Sequence, residues 1–378
     1  MATEAGMNRA RAALIEEYRQ LLRAQGIDHL TQPRVVSSEE RALLWDRIRR
    51  QGEQAAADYG DKNLLAEHEH LHGPLEEVED ELPERYAGTA ERIERAVHAL
   101  GFELPGPVYV GEYPHQSFNA QACSVRSGTL LLINSGLDYL LVEVALALGT
   151  RILIAERDEN GSIRPQRATR AMRRRRDHAD ENLANSLATY VLHTDPMSGG
   201  KQQVDTTARG VMSYLAAGAA TDFAVAHEYG HFLAGHLNGS GRRRTGTDWL
   251  RKSHAQEFEA DEIGMLLSLK AQEYDGQLSA LSFGKHITVQ GAFLFFAVDH
   301  LLNRVRDEVV EIGKEKIVSD HPPSDARAAA LRRTLTELEG SHVFQLADAY
   351  VASLSAQEDK TLDSLRRLMR DARPDGGH

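Results

Sequence analysis

The most constraining feature of this 378-residue chain is a pair of histidines inside an apolar segment, where residues 227–231 read His-Glu-Tyr-Gly-His. The flanking stretches ATDFAVA and YGHFLAGHL are small and apolar, so a helix here is buried on nearly every side. Residues four apart share one face of a helix, which places His227 beside His231. Burying two imidazoles next to the carboxylate of Glu228 is unfavourable unless something pairs them, and a bound metal ion is the simplest compensation.

The metal that suits these residues is zinc, which accepts imidazole and carboxylate ligands. In catalytic zinc sites three protein ligands leave one position for water, and the metal lowers the pKa of that water to about 7. Glu228 lies one step around the helix from His227 and could take the proton of the water as it attacks a carbonyl. The sequence therefore predicts Zn²⁺ as cofactor and Glu228 as general base.

His236 is a poor candidate for the third ligand. In the metzincin pattern, a glycine and a histidine follow the second histidine of the motif by three and six residues. Those positions are occupied here by Ala234 and Leu237. The metzincin pattern therefore does not fit this chain.

The better candidate lies 26 residues after His231, in the segment HAQEFEADEIG. Glu257 and Asp261 are four residues apart there and share a helical face. We expect Glu257 to complete a two-histidine, one-glutamate site. We expect Asp261 to accept a hydrogen bond from the outward nitrogen of His227, because such carboxylates fix the tautomer and orientation of a metal-bound histidine.

These motifs together resemble the gluzincin zinc metallopeptidases. The sequence EFEAD is similar to that of the HtpX and CAAX-prenyl endopeptidase group, as are the late segment HPPSDAR and the stretch SFNAQACSVRSGTLLLINSGL. The 26-residue interval and the lead-in TDFAVAHEYGH are more like the compact ImmA/IrrE proteases. The resemblance covers roughly residues 107–335.

The resemblance implies a zincin-like metallopeptidase core and a zinc-dependent endopeptidase acting on a peptide or protein substrate. It implies that His227, His231 and Glu257 hold zinc and that Glu228 is the catalytic base. His321 and Arg327 would donate hydrogen bonds to the oxyanion of the substrate, and Asn119 would bind the substrate backbone. The strand around Asn119 would let an extended peptide add as a further strand.

The periodicity predicts an α+β, mainly helical fold with a small β-sheet beside the active-site helix. Three short runs rich in branched and aromatic residues, PVYVGEY, SFNAQACSV and TLLLINS, are typical of strands. Helices are expected over about 208–237, 250–271 and 291–312. The segment HPPSDAR is expected to open another that reaches about residue 338, and a last one should end near residue 370. We predict a helical N-terminal region over 1–105 and a zinc metallopeptidase domain over 106–378, with a charged insertion near 156–180.

The composition limits the cellular locations and the classes of partner that we expect for this protein. The formal net charge of −12 makes nucleic acid an improbable partner, and the arginine runs at 173–176 and 242–244 are interpreted as solvated loops. Cys123, the single cysteine, allows no internal disulfide and no cysteine-based zinc site. The longest apolar stretch is interrupted by charged residues, so we expect no membrane span and a soluble, cytoplasmic protein.

Two other functions remain open at this stage. One is a catalytically silent regulatory or binding protein that keeps a metalloprotease fold, although every residue of the motif is intact. The other is a nucleic-acid binder that uses zinc structurally and its basic loops for contact. The first would keep its function when Glu228 is replaced by glutamine, and the second would show salt-dependent binding.

Overall fold

The computed structural model describes residues 4–26, 85–151, 155–157, 163–165, 170–194, 208–237, 247–276, 278–313 and 321–371, with single positions at 46, 49, 50 and 53. Over these residues the chain is mainly helical and contains a small three-stranded sheet, which confirms the predicted mainly helical α+β class. The basic run at 242–244 lies outside the described residues, whereas the run at 173–176 lies in the helix Arg170–His193 and not, as expected, in a loop.

The described helices are α1 Glu4–Ala24, α2 Ala87–Ala99, α3 Ser135–Gly149, α4 Arg170–His193, α5 Ala208–Leu233, α6 Thr247–Ala271, α7 Gly284–Gly313, α8 Ser324–Glu339, α9 Gln345–Ser355 and α10 Glu358–Asp371. The strands of the sheet are β1 Val108–Tyr113, β2 Ala120–Val125 and β3 Gly128–Asn134. The predicted insertion near 156–180 contains a short pair, β4 Ala155–Arg157 and β5 Ile163–Pro165, and the start of α4. Where one last helix was expected, the described residues contain two, α9 and α10.

The three-stranded sheet has the order β1-β3-β2, with β1 parallel and β2 antiparallel to β3. The central strand is buried on both faces, which explains its continuous apolar run. Leu130 and Leu132 face α1 and pack with Leu14 and Tyr18. Alternate residues Leu131 and Ile133 point the other way, into the main core, as the two-residue period of a strand requires. Strand β2 is left at one edge of the sheet.

Helix α5 runs through the centre of the main core and contacts α3, α6, α7 and the sheet. Its surface is built from small side chains, which allows several elements to approach it closely. The buried alanines of this helix are Ala216, Ala217, Ala219, Ala220, Ala224 and Ala226. Helix α6 crosses α5 where Gly230 faces Ala260 and Gly264 faces His227.

Helices α1 and α2 pack onto the remainder of the described chain. Tyr18 of α1 donates a hydrogen bond of 2.5 Å from its hydroxyl to the carbonyl of Glu112 in β1. In α2, Arg92 pairs with Asp222 of α5 at 2.8 Å. None of the helices that the structure describes is long and apolar enough to cross a lipid bilayer.

Candidate metal centre

His227, His231 and Glu257 converge at the crossing of α5 and α6. The two imidazole Nε2 atoms lie 3.1 Å apart. The carboxylate of Glu257 directs one oxygen to each ring, with Oε2 3.5 Å from Nε2 of His227 and Oε1 3.3 Å from Nε2 of His231. Glu257 and His227 are buried and His231 is nearly so. The three residues form a group that could hold a metal ion.

The candidate ligand atoms are the two imidazole Nε2 atoms and the two carboxylate oxygens of Glu257, and their spacing is close to what a tetrahedral metal ion requires. With bonds of about 2.0–2.1 Å, two ligand atoms on a tetrahedral zinc ion are separated by about 3.3–3.4 Å. The observed separations of 3.1, 3.3 and 3.5 Å bracket that length. Among the residues that the structure describes, no fourth histidine, cysteine, aspartate or glutamate joins this group. Such a three-ligand set leaves one position for water.

The outward nitrogen of His227 is held by a buried carboxylate. Oδ1 of Asp261 lies 2.9 Å from Nδ1 of His227, so the Nδ1–H donates to the carboxylate and Nε2 is directed at the centre. Asp261 in turn accepts two hydrogen bonds from Arg327 of α8, at 2.8 Å from Nε and 2.6 Å from Nη2. Burial opposes ionisation of Asp261, but these hydrogen bonds outweigh it and lower its pKa.

The outward nitrogen of His231 has a partner that the sequence argument missed. Nδ1 of His236 lies 3.0 Å from Nδ1 of His231, and Nε2 of His236 lies 3.1 Å from Oε2 of Glu259 on α6. The only sequence signal for this arrangement was Gly235. Helix α5 was expected to continue to about residue 237, but it ends at Leu233 and Gly235 adopts a left-handed conformation with φ of 71°.

The buried histidine and carboxylate side chains at the centre shift one another's pKa values. Burial disfavours the charged form of His227, but the hydrogen bond to Asp261 and the nearby carboxylate of Glu257 raise its pKa to about 9. Burial also disfavours the charged form of Glu257, but its interactions with His227, His231 and His321 hold its pKa well below the usual range. In the absence of a metal, Asp261 and Glu257 thus hold a proton on His227; a divalent cation would take its place.

A cleft of about 540 Å³ opens beside His227 and Glu257. Glu228 lies on its wall and is only 7% exposed. Asn119 is exposed on the same wall, immediately before β2, and Phe118 stacks on Phe295 with ring centres 5.3 Å apart. The structure therefore brings Glu228 and Asn119 to the cleft that the candidate metal ligands His227 and Glu257 adjoin.

His321 and Arg327 reach this cleft from the segment that begins α8. Nδ1 of His321 lies 2.9 Å from Oε2 of Glu257, and its side chain is 55% exposed. Arg327 is buried, with two nitrogens on Asp261 and Nη1 3.5 Å from Oε2 of Glu257. His321 thus lies on the open side of the centre and Arg327 behind it.

Comparisons with known proteins add no identification. No family model matches the chain, and no curated protein or solved structure matches it. The gluzincin resemblance, which rests on the motifs alone, stays a prediction.

Proposed function

We propose that this chain is a zinc-dependent endopeptidase that hydrolyses peptide bonds with Glu228 as general base. The observation that carries the proposal is the convergence of His227, His231 and Glu257 beside a cleft that contains Glu228. Two imidazoles and one carboxylate with an open fourth position are the donor set of many catalytic zinc sites. The proposal assigns Zn²⁺ to this centre and a peptide or protein substrate to the cleft.

A zinc ion held by this set would supply a Lewis acid that polarises a carbonyl and brings the pKa of water near 7. Glu228 follows His227 in the chain and lies on the cleft wall, where its carboxylate would accept the proton of the attacking water and pass it to the leaving amine. Its low exposure keeps bulk water away from that transfer. Replacement of Glu228 should therefore abolish turnover and leave metal binding intact.

The edge strand β2 favours an extended peptide as substrate. Among the described strands, β2 pairs only with β3, so its other edge has backbone groups free for a further strand. Ala120, the first residue of β2, and Asn119 before it line the cleft. A peptide that paired with this edge would enter the cleft next to Glu228, and the amide of Asn119 would bind its backbone.

His321 and Arg327 would have different roles in the site. His321 lies on the open side of Glu257 and is placed to donate a hydrogen bond to the substrate oxyanion. For Arg327 the contacts favour a positioning role, because its nitrogens are engaged by Asp261 and face Glu257. Arg327 would hold Asp261, and through it His227, in place.

The test is cleavage of an unfolded protein such as denatured casein by the zinc-loaded full chain, with new peptide termini identified by mass spectrometry. We expect the wild type to cut and Glu228→Gln to bind zinc without cutting. Glu262→Gln, an exposed carboxylate on α6 that contacts Thr334, is the matched control and should cut normally. A zinc-loaded wild type that produces no new termini, or a Glu228→Gln variant that cuts at the wild-type rate, would overturn the proposal.

A further inference from the structure

The end of helix α5 places a third histidine against the metal centre. The amide of Gly235 donates to the carbonyl of Phe232 at 3.2 Å, and the amide of His236 donates to the carbonyl of His231 at 3.0 Å. These two bonds, with Gly235 in the left-handed conformation, form a Schellman motif. In this motif the residue after the glycine returns to the last turn of the helix, so His236 must lie next to His231.

The side chains continue the contact that the backbone sets up. The Nδ1 atoms of His231 and His236 are 3.0 Å apart, and their rings meet at 67° with centres 5.2 Å apart. The side chain of His236 is only 8% exposed, whereas that of Glu259, its partner at 3.1 Å on α6, is 60% exposed. A chain of two hydrogen bonds thus runs from the metal centre to the protein surface.

We propose that His236, oriented by Glu259, is a positioning residue that sets the tautomer of the metal ligand His231. The inference rests on the zinc centre of the proposed function. The directions of the two hydrogen bonds follow from Glu259, the acceptor at the surface end of the series. A carboxylate accepts only, so Glu259 requires Nε2–H on His236, which leaves Nδ1 of a neutral His236 as an acceptor. His231 must then carry its hydrogen on Nδ1, and the lone pair of its Nε2 points at the metal position.

This arrangement complements the one around His227. There, Asp261 fixes the outward nitrogen directly. His231 lacks a carboxylate at that position. Glu259 instead fixes the hydrogen of the neutral His236 ring on Nε2, and Nδ1 of that ring then accepts from Nδ1–H of His231. Both histidine ligands are thereby held in the tautomer that a metal needs by carboxylates of α6, Asp261 acting directly and Glu259 acting through His236.

The first test is the zinc affinity of the full chain, measured by competition with a chromogenic chelator, for wild type, His236→Ala and His236→Asn. Loss of an outer partner of a ligand lowers metal affinity by about 10- to 100-fold, which is the change expected for His236→Ala. His236→Asn should retain most of the affinity, because its amide oxygen can accept from Nδ1 of His231. If His236→Ala matches the wild type, or if His236→Asn loses as much as His236→Ala, the inference is wrong.

The second test uses Glu259, whose exposure makes misfolding of its variants no concern. Glu259→Ala should weaken zinc binding several-fold in the wild type and have no effect in the His236→Asn background, where the side chain ends short of position 259. Glu262→Ala, one turn further along α6, is the matched control and should have no effect in either background. If Glu259→Ala lowers the zinc affinity equally in both backgrounds, or does not lower it in the wild type, Glu259 does not act on His231 through His236. A wild type that binds no zinc would instead overturn the proposed function itself.

Discussion

Gly264 of α6 lies directly against the backbone of His227 in α5. A Cβ atom at position 264 would be 2.8 Å from the amide nitrogen of His227 and 2.9 Å from its Cα, closer than such atoms can approach. The missing side chain therefore sets the distance between the two helices. That distance in turn decides whether the carboxylate of Glu257 reaches both imidazoles.

Gly264→Ala should push α6 away from α5, because neither contacting backbone atom can move aside. We expect a loss of about 1–3 kcal/mol in the free energy of unfolding, as for other overpacked cores, and weaker zinc binding. Urea denaturation and chelator competition measure the two effects. Gly218→Ala is the matched control on α5, where a Cβ meets nothing within 4 Å, and it should be neutral or slightly stabilising.

Removal of Arg327 should leave Asp261 as a buried carboxylate without its main partner. Breaking a buried ion pair from one side costs about 3–5 kcal/mol, so Arg327→Met is expected to lower the free energy of unfolding of the chelator-treated protein by that amount. Arg366→Met removes an exposed pair with Glu308 and should leave the urea midpoint close to that of the wild type, because exposed ion pairs contribute little to stability. Similar urea midpoints for the two variants would show that the pair at Asp261 is not a structural element of the site.

Zinc affinity should depend on pH through His227. In the metal-free site the hydrogen bond to Asp261 and the nearby carboxylate of Glu257 outweigh burial and raise the pKa of His227 to about 9, so zinc must displace a proton at any lower pH. The apparent affinity should therefore fall about tenfold for each pH unit below about 9, since one proton competes with the metal. Chelator competition between pH 7 and 9 checks this slope. An affinity that stays flat over the range would show that no proton is displaced from the site.

Asp180 should contribute to stability at neutral pH and lose that contribution in acid. Burial raises the pKa of this carboxyl group, but hydrogen bonds from Lys360 and Arg151, at 2.9 and 2.6 Å, outweigh it and leave the pKa below its usual value. The stabilisation is thus present above the unfolded pKa of about 3.9 and disappears as the pH falls through the folded value. The difference in unfolding free energy between wild type and Asp180→Asn should be constant above about pH 5 and shrink below about pH 4. A difference that grows in acid would contradict the assignment.

Much of the fold follows from periodicity. The run TLLLIN alternates between two buried faces, and the expected strands agree with β1, β2 and β3. The four-residue spacings of His227 with His231 and of Glu257 with Asp261 could be read as shared helix faces because both segments are long and regular. What periodicity does not encode is how far apart α5 and α6 lie, which depends on Gly264.

The parts of the site that the sequence did not predict arise from contacts between distant elements. The apolar pattern around α5 continues to Leu237, and only Gly235 indicates that the helix stops at Leu233 and returns His236 to His231. The partner of His236 comes from α6. Likewise, the resemblance offered Arg327 as a substrate ligand, whereas its bond to Asp261 joins residues of two different helices.

The most direct test of the metal centre is the zinc content of the full chain after saturation with zinc and extensive dialysis. The account predicts one zinc ion per chain for the wild type and for Glu228→Gln, and almost none for His227→Ala or Glu257→Ala, which each remove one of the three ligands. A wild type that retains no zinc, or a Glu257→Ala variant that retains it as firmly as the wild type, would contradict the account.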